Sequence, residues 1–382
     1  MKKEIKILLI AMLTANLLLA QQTLGKTLRH NNVNREYIVY IPASYNRSVA
    51  VPLMLHFHGY EMTATNQMFL TGMRAVADTA GFIIVYPQGL FLRGDNTTHW
   101  NVGSWTTGST SDDIGFVKTM LDTLAVNYKI DLDRVYSCGF SNGGYFSFEL
   151  ACKLSNRIAA IGSVGGTMST ETFNACNPSH ATPVVTIHGT ADVVVDYNGF
   201  FPPGSKPIAD VNTYWSKYNK TLVTPIISRL PDINSTDGST VELSLYDKSI
   251  NCPPVEHYKV IGGGHTWPGI WGNRDINSSE VIWRFVSRYN MKELIKCGNT
   301  TSTLENNSQI NYKAYPNPLG NQLTIKTDFT NVKEYKIYNI LGKLMITGQL
   351  TSDVNTIDLS SLPPNIYVFR TDNQSIKLIK TE

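Results

Sequence analysis

Between residues 25 and 295, apolar, β-rich runs alternate with amphipathic segments, and this alternation limits the possible folds more than any other feature of the sequence. The apolar runs lack regularly spaced polar residues, which predicts strands buried on both faces, as in a parallel sheet. Helices on both faces of that sheet make the expected fold class α/β. The predicted strands are 52–57, 82–86, 134–137, 159–164 and 183–187, and the predicted helices are 116–128, 144–154 and 280–289.

The sequence Gly139-Phe140-Ser141-Asn142-Gly143 lies between the third of these strands and the next helix. In this context, Gly-x-Ser-x-Gly is typical of a nucleophile elbow, a strained turn in which small residues relieve crowding around the serine. The Ser141 hydroxyl would lie at the helix N-terminus, where the helix dipole and the Asn142 N–H stabilise an oxyanion. Ser141 is therefore predicted to be a nucleophile, and a non-catalytic Gly-rich turn is the alternative.

A serine nucleophile needs a histidine base, because its hydroxyl is not ionised at neutral pH, and an acid that fixes the tautomer of that base. In an α/β hydrolase both follow the nucleophile along the chain, the acid first, at strand ends. Asp192 follows the strand at 183–187, and His265 follows a strand predicted at 255–260, after three glycines. We predict Asp192 as the acid and His265 as the base, with Asp196 as the competing acid.

The second oxyanion donor of such a site is expected in the loop that follows the strand at 52–57. The backbone N–H of Tyr60 is the predicted donor there, and it would act together with that of Asn142. His188, in the turn that leads to Asp192, is expected to brace the acid loop. The cysteines have no CxxC spacing and no accompanying His cluster, so neither a metal nor a cofactor is predicted.

The N-terminal segment has lysines at positions 2 and 3, followed by an apolar stretch that ends at Ala20. This pattern predicts a secretory signal peptide at 1–20. A membrane anchor is the alternative, but the stretch is shorter than the roughly 20 residues of a span. The net charge of +3, of which the first six residues supply two, does not favour a nucleic-acid partner. We therefore expect a secreted protein without a stable membrane span.

The C-terminal part of the chain has a different pattern of apolar and polar residues from the rest. Residues 298–312 are polar and predict a linker, whereas residues 313–382 alternate apolar and polar positions between turn signals. The expected organisation is a signal peptide at 1–20, an α/β-hydrolase domain at 21–297, a linker at 298–312 and a small all-β domain at 313–382.

The all-β segment contains Tyr315-Pro316-Asn317-Pro318, then 338–343 (Tyr-Asn-Ile-Leu-Gly-Lys), and finally 366–370 (Ile-Tyr-Val-Phe-Arg). In order and spacing, these motifs resemble the type A C-terminal sorting domain of the type IX secretion system of Bacteroidetes. The resemblance implies that the type IX machinery is a partner and that the chain crosses the outer membrane. A carbohydrate-binding β-sandwich that stays attached is the alternative.

Residues 25–295 carry a second set of motifs, in which the elbow and the two loops of the predicted acid and base occur together. The set resembles the esterase/polyhydroxybutyrate depolymerase family, which is similar to the feruloyl and acetylxylan esterases of carbohydrate esterase family 1. The resemblance implies the same nucleophile, acid and base. The motifs are His58-Gly59, 86–89 (Tyr-Pro-Gln-Gly), Trp100-Asn101, 112–116 (Asp-Asp-Ile-Gly-Phe), 139–144 (Gly-Phe-Ser-Asn-Gly-Gly), 188–192 (His-Gly-Thr-Ala-Asp) and 263–269 (Gly-Gly-His-Thr-Trp-Pro-Gly).

The cysteines depart from the pattern of that family at one point. Members often pair a cysteine after a Trp-containing helix with one shortly before the His loop, but residues 215–220 contain none, so Cys252 is expected to be free. Cys152 and Cys176 flank the short excursion between two predicted strands and are the expected disulfide. Cys138 is predicted to be a buried core residue, and the state of Cys297 stays open.

The expected substrate follows from the space around the predicted nucleophile. Only about fifteen residues separate the strand that ends near Gly165 from the next one, where relatives of the fold insert a lid. An open serine favours an ester on a polymer or an aryl ester over a free lipid. An aromatic platform for the substrate is predicted, although two of its members would serve equally well as core residues. The four tryptophans are Trp100, Trp105, Trp267 and Trp271.

The predicted function is that of a secreted serine carboxylic ester hydrolase that forms an acyl-enzyme and removes feruloyl or acetyl groups from plant polysaccharide. The first alternative is an extracellular polyhydroxybutyrate or polyester depolymerase. A serine peptidase is less favoured, because the chain lacks the extra propeller or lid domain that sizes peptides. A non-catalytic polysaccharide-binding protein is also less favoured, since no member of the predicted triad is missing.

Overall fold

The computed structural model describes residues 21–92, 94, 96–247, 252–294, 313–327, 333–339, 344–371 and 375–381. The predicted signal peptide and linker lie outside these residues. The chain divides into two compact units, Met1–Thr300 and Thr301–Glu382.

The first unit is built on a ten-stranded sheet. Its order is β1-β2-β4-β3-β7-β8-β9-β12-β11-β10, and the six central strands from β4 to β12 run parallel. Two antiparallel strands extend each edge, and β5 and β6 form a separate hairpin. The strands are β1 Gln22–His30, β2 Val33–Ile41, β3 Val51–Phe57, β4 Ile83–Pro87, β5 Leu90–Leu92, β6 Thr97–His99, β7 Ile130–Phe140, β8 Ala160–Val164, β9 Val184–Gly189, β10 Ile226–Arg229, β11 Thr240–Tyr246 and β12 Val255–Ile261.

Helices cover both faces of this sheet. Successive residues of a strand point to opposite sides, so apolar strands present an apolar surface on each face. Leu53 and Leu55 of β3 pack in one hydrophobic cluster with the helices at 113–127, 142–153 and 208–218, whereas Met54 packs in a second cluster with the helices at 64–70, 73–80 and 278–286. The α/β-hydrolase class is thereby confirmed. The helices are α1 Ala64–Leu70, α2 Met73–Ala80, α3 Asp113–Asn127, α4 Asn142–Lys153, α5 Thr170–Ala175, α6 Ile208–Tyr218, α7 Ser278–Val286 and α8 Met291–Leu294, with 3₁₀ turns at Ser104–Thr106 and Ser155–Arg157.

The connection between β8 and β9 is short, as the sequence predicted. It contains only the six-residue helix α5, so no lid domain lies there.

The helices begin two or three residues earlier than the sequence predicted. Helix α3, for example, begins at Asp113, after an N-cap in which the Asp112 carboxylate accepts the Gly115 N–H at 2.9 Å.

The second unit is all-β, as predicted. A three-stranded sheet, β13-β14-β17, and a four-stranded sheet, β16-β15-β18-β19, share one core that includes Leu323, Ile357, Ile337 and Phe369. The strands are β13 Lys313–Tyr315, β14 Gln322–Lys326, β15 Lys333–Asn339, β16 Leu344–Leu350, β17 Val354–Asp358, β18 Asn365–Arg370 and β19 Ser375–Lys380.

The cysteines confirm one expectation and overturn another. Cys152 and Cys176 form the predicted disulfide, and Cys138 is a buried free thiol. The expectation that Cys252 is free is wrong, because this residue is disulfide-bonded. Cys297 lies outside the described residues. Across the described part of the chain, no helix has the length and apolar character needed to cross a membrane.

Candidate active site

Ser141 occupies a sharp turn between the last residue of β7 and the first residue of α4. Its backbone has φ 54° and ψ −121°, a conformation that non-glycine residues adopt only under strain. The Ser141 N–H is anchored to the Val164 carbonyl at 2.8 Å, and only 8% of the residue is exposed. The turn therefore has the strained backbone expected of a nucleophile elbow.

The end of β3 packs against this turn at main-chain distance. A Cβ atom at Gly143 would lie 2.2 Å from the Phe57 carbonyl oxygen, so only glycine fits between α4 and β3. At Gly59, in the loop after β3, a Cβ atom would lie 3.3 Å from the Ser141 Cβ. The loop that carries Tyr60 therefore begins beside the candidate nucleophile.

Asp192 and His265 form a hydrogen-bonded pair. The His265 Nδ1 donates to the Asp192 Oδ2 at 2.7 Å, and the second carboxylate oxygen accepts the backbone N–H groups of Val194 and Val195 at 2.9 and 2.8 Å. Asp196, the competing acid, instead accepts N–H groups of its own loop. The pairing brings together the two residues predicted as acid and base, although they are 73 positions apart.

The imidazole of His265 lies against the elbow. Its ring centroid is 4.7 Å from that of Phe140, the residue before Ser141. A Cβ atom at Gly165, which follows the Val164 partner of Ser141, would lie 3.1 Å from the His265 Cε1. The fold therefore gathers the elbow, the imidazole and the carboxylate at the same edge of the parallel strands.

The electrostatics keep the Asp192 carboxylate charged. Burial raises its pKa, but the hydrogen bond from His265, the charges of His265 and His188, and the Val195 N–H together lower it below its ordinary value. The His188 Nε2 lies 2.7 Å from the Val195 carbonyl and 3.4 Å from the Asp192 Oδ2. Burial lowers the pKa of His188, and the contact of its ring with the Val195 carbonyl braces the acid loop.

The two predicted oxyanion donors belong to segments that border Ser141. Asn142 is the first residue of α4, and the first N–H groups of a helix have no intrahelical acceptor. Tyr60 follows Gly59 directly, and its ring packs edge-on against Trp105 at a centroid distance of 5.0 Å.

The predicted aromatic platform is wrong for two of its tryptophans. Trp100 and Trp267 have no exposed surface, because one packs between Phe57 and Phe146 and the other against Phe140. An indole enclosed in the core has no face left for a ligand. Trp105 and Trp271 are partly exposed, the latter at 46%, and only these two of the four can contact a substrate.

The loop after Asp192 carries exposed apolar side chains that sequence reasoning missed. Val193 and Phe200 are 84% and 81% exposed, and Phe201 is also exposed. The Phe-Phe-Pro-Pro-Gly sequence at 200–204 was the available signal, since two adjacent aromatics before a proline pair have no strand or helix in which to be buried. The Ser104 hydroxyl donates to the Pro203 carbonyl and ties this loop to the segment of Trp105.

Acid is expected to destabilise this domain through three buried histidines. Burial lowers the pKa of His56 to about 3, of His58 to about 4 and of His257 to about 3, whereas an unfolded chain titrates near 6.5. Below that pH the unfolded state binds protons that the folded state does not, so each histidine lowers the free energy of unfolding by about 1.4 kcal/mol per pH unit until its folded pKa is reached.

Urea unfolding at pH 7, 6 and 5 measures this loss. His257→Gln retains a side chain able to hydrogen-bond to Thr186 and Tyr197 but cannot titrate. The free energy of unfolding of this variant should therefore fall less steeply as the pH decreases, by the contribution of one proton. An unchanged slope in that variant, or stability that rises towards pH 5, would contradict the assignment.

Both units have similarity to known protein families. Residues 107–200 match the Phospholipase/Carboxylesterase family, and residues 313–381 match the secretion system C-terminal sorting domain. Part of the first unit is therefore similar to carboxylesterases, and the second unit is similar to secretion sorting domains. Both resemblances seen in the sequence are thereby confirmed, and the sorting domain implies secretion or export to the cell surface.

The curated relatives of the esterase domain carry related names. The chain is 27% identical over 290 residues to a bifunctional acetylxylan esterase/xylanase of Neocallimastix patriciarum, and 27% identical over 266 residues to feruloyl esterase B of Piromyces equi. These matches cover 74% and 67% of this chain. They cover only 38% and 46% of the two relatives, so this chain spans less than half the length of either.

Solved structures similar to the chain include an acetyl xylan esterase from Aspergillus awamori. It has 15% sequence identity and a TM-score of 0.48, over 63% of this chain and 94% of that one. A ferulic acid esterase from Anaeromyces mucronatus has 13% identity and a TM-score of 0.46, over 72% of this chain and 92% of that one.

Proposed function

We propose that the protein is a secreted serine esterase that removes feruloyl or acetyl groups from plant polysaccharide. The observation that carries the proposal is the 2.7 Å hydrogen bond between the Asp192 carboxylate and His265, with the imidazole packed against the elbow of Ser141. The names of the two relatives, an acetylxylan esterase and a feruloyl esterase, support the same acyl groups.

The first half of the reaction forms an acyl-enzyme. Asp192 holds the proton of His265 on Nδ1, which leaves Nε2 as the base for the Ser141 hydroxyl. Serine Oγ attacks the ester carbonyl, and the N–H groups of Asn142 and Tyr60 bind the resulting oxyanion. The tetrahedral intermediate collapses, and the alcohol leaves with the proton that His265 took from serine.

The second half regenerates the enzyme. His265 takes a proton from water, the hydroxide attacks the acyl carbon, and the same two N–H groups bind the second oxyanion. The intermediate releases the carboxylic acid as the proton returns to Ser141. Throughout, Asp192 stays ionised and stabilises the imidazolium, in agreement with its lowered pKa.

The surroundings of the elbow favour a polymeric or aryl ester. The short β8–β9 connection contains no lid domain, which would leave the approach to the nucleophile open. Trp105 packs against Tyr60, and Trp271 follows His265 by six residues. Both are partly exposed and would offer indole faces to a sugar or a feruloyl ring, and aromatic faces suit both. A polysaccharide chain needs such an open approach, because it has to lie across the site rather than enter a closed pocket.

A polyester is the second candidate substrate, and the exposed loop after Asp192 is the observation that favours it. Val193, Phe200 and Phe201 are apolar and uncharged, and they border the loop of the catalytic acid. Such side chains would press against an insoluble polyester surface such as polyhydroxybutyrate, since adsorption there removes apolar area from water.

Export would proceed in two stages. The signal peptide predicted at 1–20 would direct the chain across the inner membrane, and the domain at 313–382 would then engage the type IX machinery at the outer membrane.

A substrate panel tests the proposal and ranks the two candidates. The purified protein is assayed on p-nitrophenyl acetate, methyl ferulate, acetylated xylan, polyhydroxybutyrate film and casein, with the Ser141→Ala variant as the blank. We expect hydrolysis of p-nitrophenyl acetate and of methyl ferulate or acetylated xylan, and none of casein. Hydrolysis of the polyester film without hydrolysis of acetylated xylan or methyl ferulate would favour the polyester depolymerase. Cleavage of casein alone would refute the proposal that the protein is an esterase.

A further inference from the structure

The side chain of Asn142 makes two hydrogen bonds to the backbone of Trp100, one to its N–H and one to its carbonyl. Its Oδ1 accepts the Trp100 N–H at 2.6 Å, and its Nδ2 donates to the Trp100 carbonyl at 3.1 Å. Both residues are fully buried, although 42 positions separate them in the chain. The residue after the nucleophile is therefore fixed to Trp100 by two hydrogen bonds shielded from water.

The indole of Trp100 continues this link towards the loop after β3. Its Nε1 donates to the His58 carbonyl at 3.0 Å, and the two rings are in contact at a centroid distance of 5.0 Å. The indole N–H is the only hydrogen-bond donor of a tryptophan side chain, so removing it removes this bond.

The His58 side chain extends this series of hydrogen bonds to Gly59, the residue before Tyr60. Its Nε2 accepts the Gly89 N–H at 2.9 Å, so the proton of the neutral ring is on Nδ1, which donates to the Gly59 carbonyl at 2.7 Å. The ring is neutral because burial lowers its pKa to about 4. His58 and Gly59 are therefore fixed in one conformation.

We infer that Trp100 is a positioning residue, which sets the distance between the two oxyanion donors. The hydrogen bonds run from Asn142 through Trp100 to His58 and the Gly59 carbonyl. One assigned N–H is that of Asn142, and the other, that of Tyr60, belongs to the same planar peptide group as the Gly59 carbonyl. Such donors lower a barrier only when they are held about 2.7 to 3.1 Å from the position that the oxyanion will occupy. The inference rests on the proposed function and assigns it a residue that touches no reacting atom.

The other role open to Trp100 is that of a core residue. Its ring stacks on Phe146 and meets Phe57 edge-on, and both contacts contribute to stability whatever the indole N–H does. The two roles separate in Trp100→Phe, which retains an aromatic ring in the core but removes the donor to His58.

The chain contains a matched control for this substitution. Trp215 of α6 is also fully buried in the same hydrophobic cluster, but within the described part of the chain its Nε1 has no hydrogen-bond partner. Trp215→Phe therefore makes the same reduction in core volume without breaking a link to the oxyanion donors.

We expect Trp100→Phe to lower kcat for p-nitrophenyl acetate by about 10- to 100-fold, less than the roughly 100- to 1000-fold that follows complete loss of one donor. KM should stay within about twofold, because the donors act on the transition state. The affinity for a trifluoromethyl ketone, which forms a hemiketal oxyanion with serine, should fall by the same factor as kcat/KM. Trp215→Phe should retain the wild-type kcat and ketone affinity.

Asn142→Ala removes the two hydrogen bonds between the Asn142 side chain and the Trp100 backbone and leaves the backbone N–H of residue 142 in place. It should lower kcat without raising KM, and the double variant with Trp100→Phe should lose much less than the product of the two single losses, because both act through one link. This variant also carries the test if Trp100→Phe fails to fold.

The outcomes separate the inference from the function on which it rests. A wild-type protein without activity on any ester would defeat the proposed function itself. An active wild type in which Trp100→Phe behaves like Trp215→Phe, or in which the losses of Trp100→Phe and Asn142→Ala multiply, would overturn the positioning role alone.

Discussion

Replacing Ser141 with alanine is expected to reduce kcat for p-nitrophenyl acetate by about 10⁵- to 10⁶-fold, the size of effect that follows loss of a serine nucleophile. The reaction then loses its covalent intermediate, and water alone must attack an ester held by the oxyanion donors. A small rate above that of the uncatalysed reaction should survive, since those donors are untouched. Initial rates with p-nitrophenyl acetate measure the effect.

Ser216→Ala is the matched control for this substitution. Ser216 is also buried, and its hydroxyl donates to the Asn212 carbonyl within α6. Its loss should leave kcat unchanged within about twofold, because a buried hydrogen bond affects stability by only about 1 kcal/mol. Ser141→Ala activity within tenfold of the wild type would exclude Ser141 as the nucleophile.

Replacing Asp192 with asparagine is expected to lower kcat by about 10⁴-fold with the site geometry intact. The carboxylate is the acceptor for His265 Nδ1–H, and it is held by the N–H groups of Val194 and Val195. An amide in its place carries no charge to stabilise the imidazolium, and its NH₂ group favours the tautomer of His265 in which Nε2 is protonated and unable to act as a base.

Asp196→Asn distinguishes the two acids that the sequence left in competition. Its side chain accepts N–H groups of the 198–200 turn, which an amide oxygen also accepts, so we expect kcat to change by less than about threefold. The same esterase assay compares the two variants. A larger loss in Asp196→Asn than in Asp192→Asn would reverse the assignment.

The parallel core of the sheet was predictable from the sequence, because strands buried on both faces leave uninterrupted apolar runs such as those of β3 and β9. The edge strands were not. Strand β1 has the sequence Gln-Thr-Leu-Gly-Lys-Thr-Leu-Arg-His and is half exposed, so its pairing with β2 depends on a neighbour rather than on its own composition.

The order of the candidate triad was predictable because chain order and strand ends determine it in this class of fold. The direction of loop side chains was not, since a loop has no periodicity that divides its residues into buried and exposed. Trp100 and Trp267 were therefore predicted to face a substrate, and both are buried. The bonding of Asn142 to Trp100 was beyond sequence reasoning, because nothing local relates residues 42 positions apart.

The disulfides show the same limit. Cys152 lies in the last turn of α4 and Cys176 directly after α5, only 24 positions further on, so proximity along the chain indicated a pairing in which the Cα atoms are 4.8 Å apart. For Cys252 the absence of the usual partner pointed to a free thiol, and the structure contradicts this expectation. The absence of a cysteine at one familiar position says nothing about partners elsewhere in the fold.

The main-chain contact between Gly143 and Phe57 has a consequence for how this scaffold can be altered. A single added carbon at residue 143 would collide with the Phe57 carbonyl, and one at residue 139 would collide with the Gly143 carbonyl, so these glycines of the elbow cannot accept new side chains. The loops that carry Trp105, Val193, Phe200 and Trp271 are partly in solvent and have that freedom. Libraries for a new acyl specificity should therefore vary these loops and leave the elbow constant.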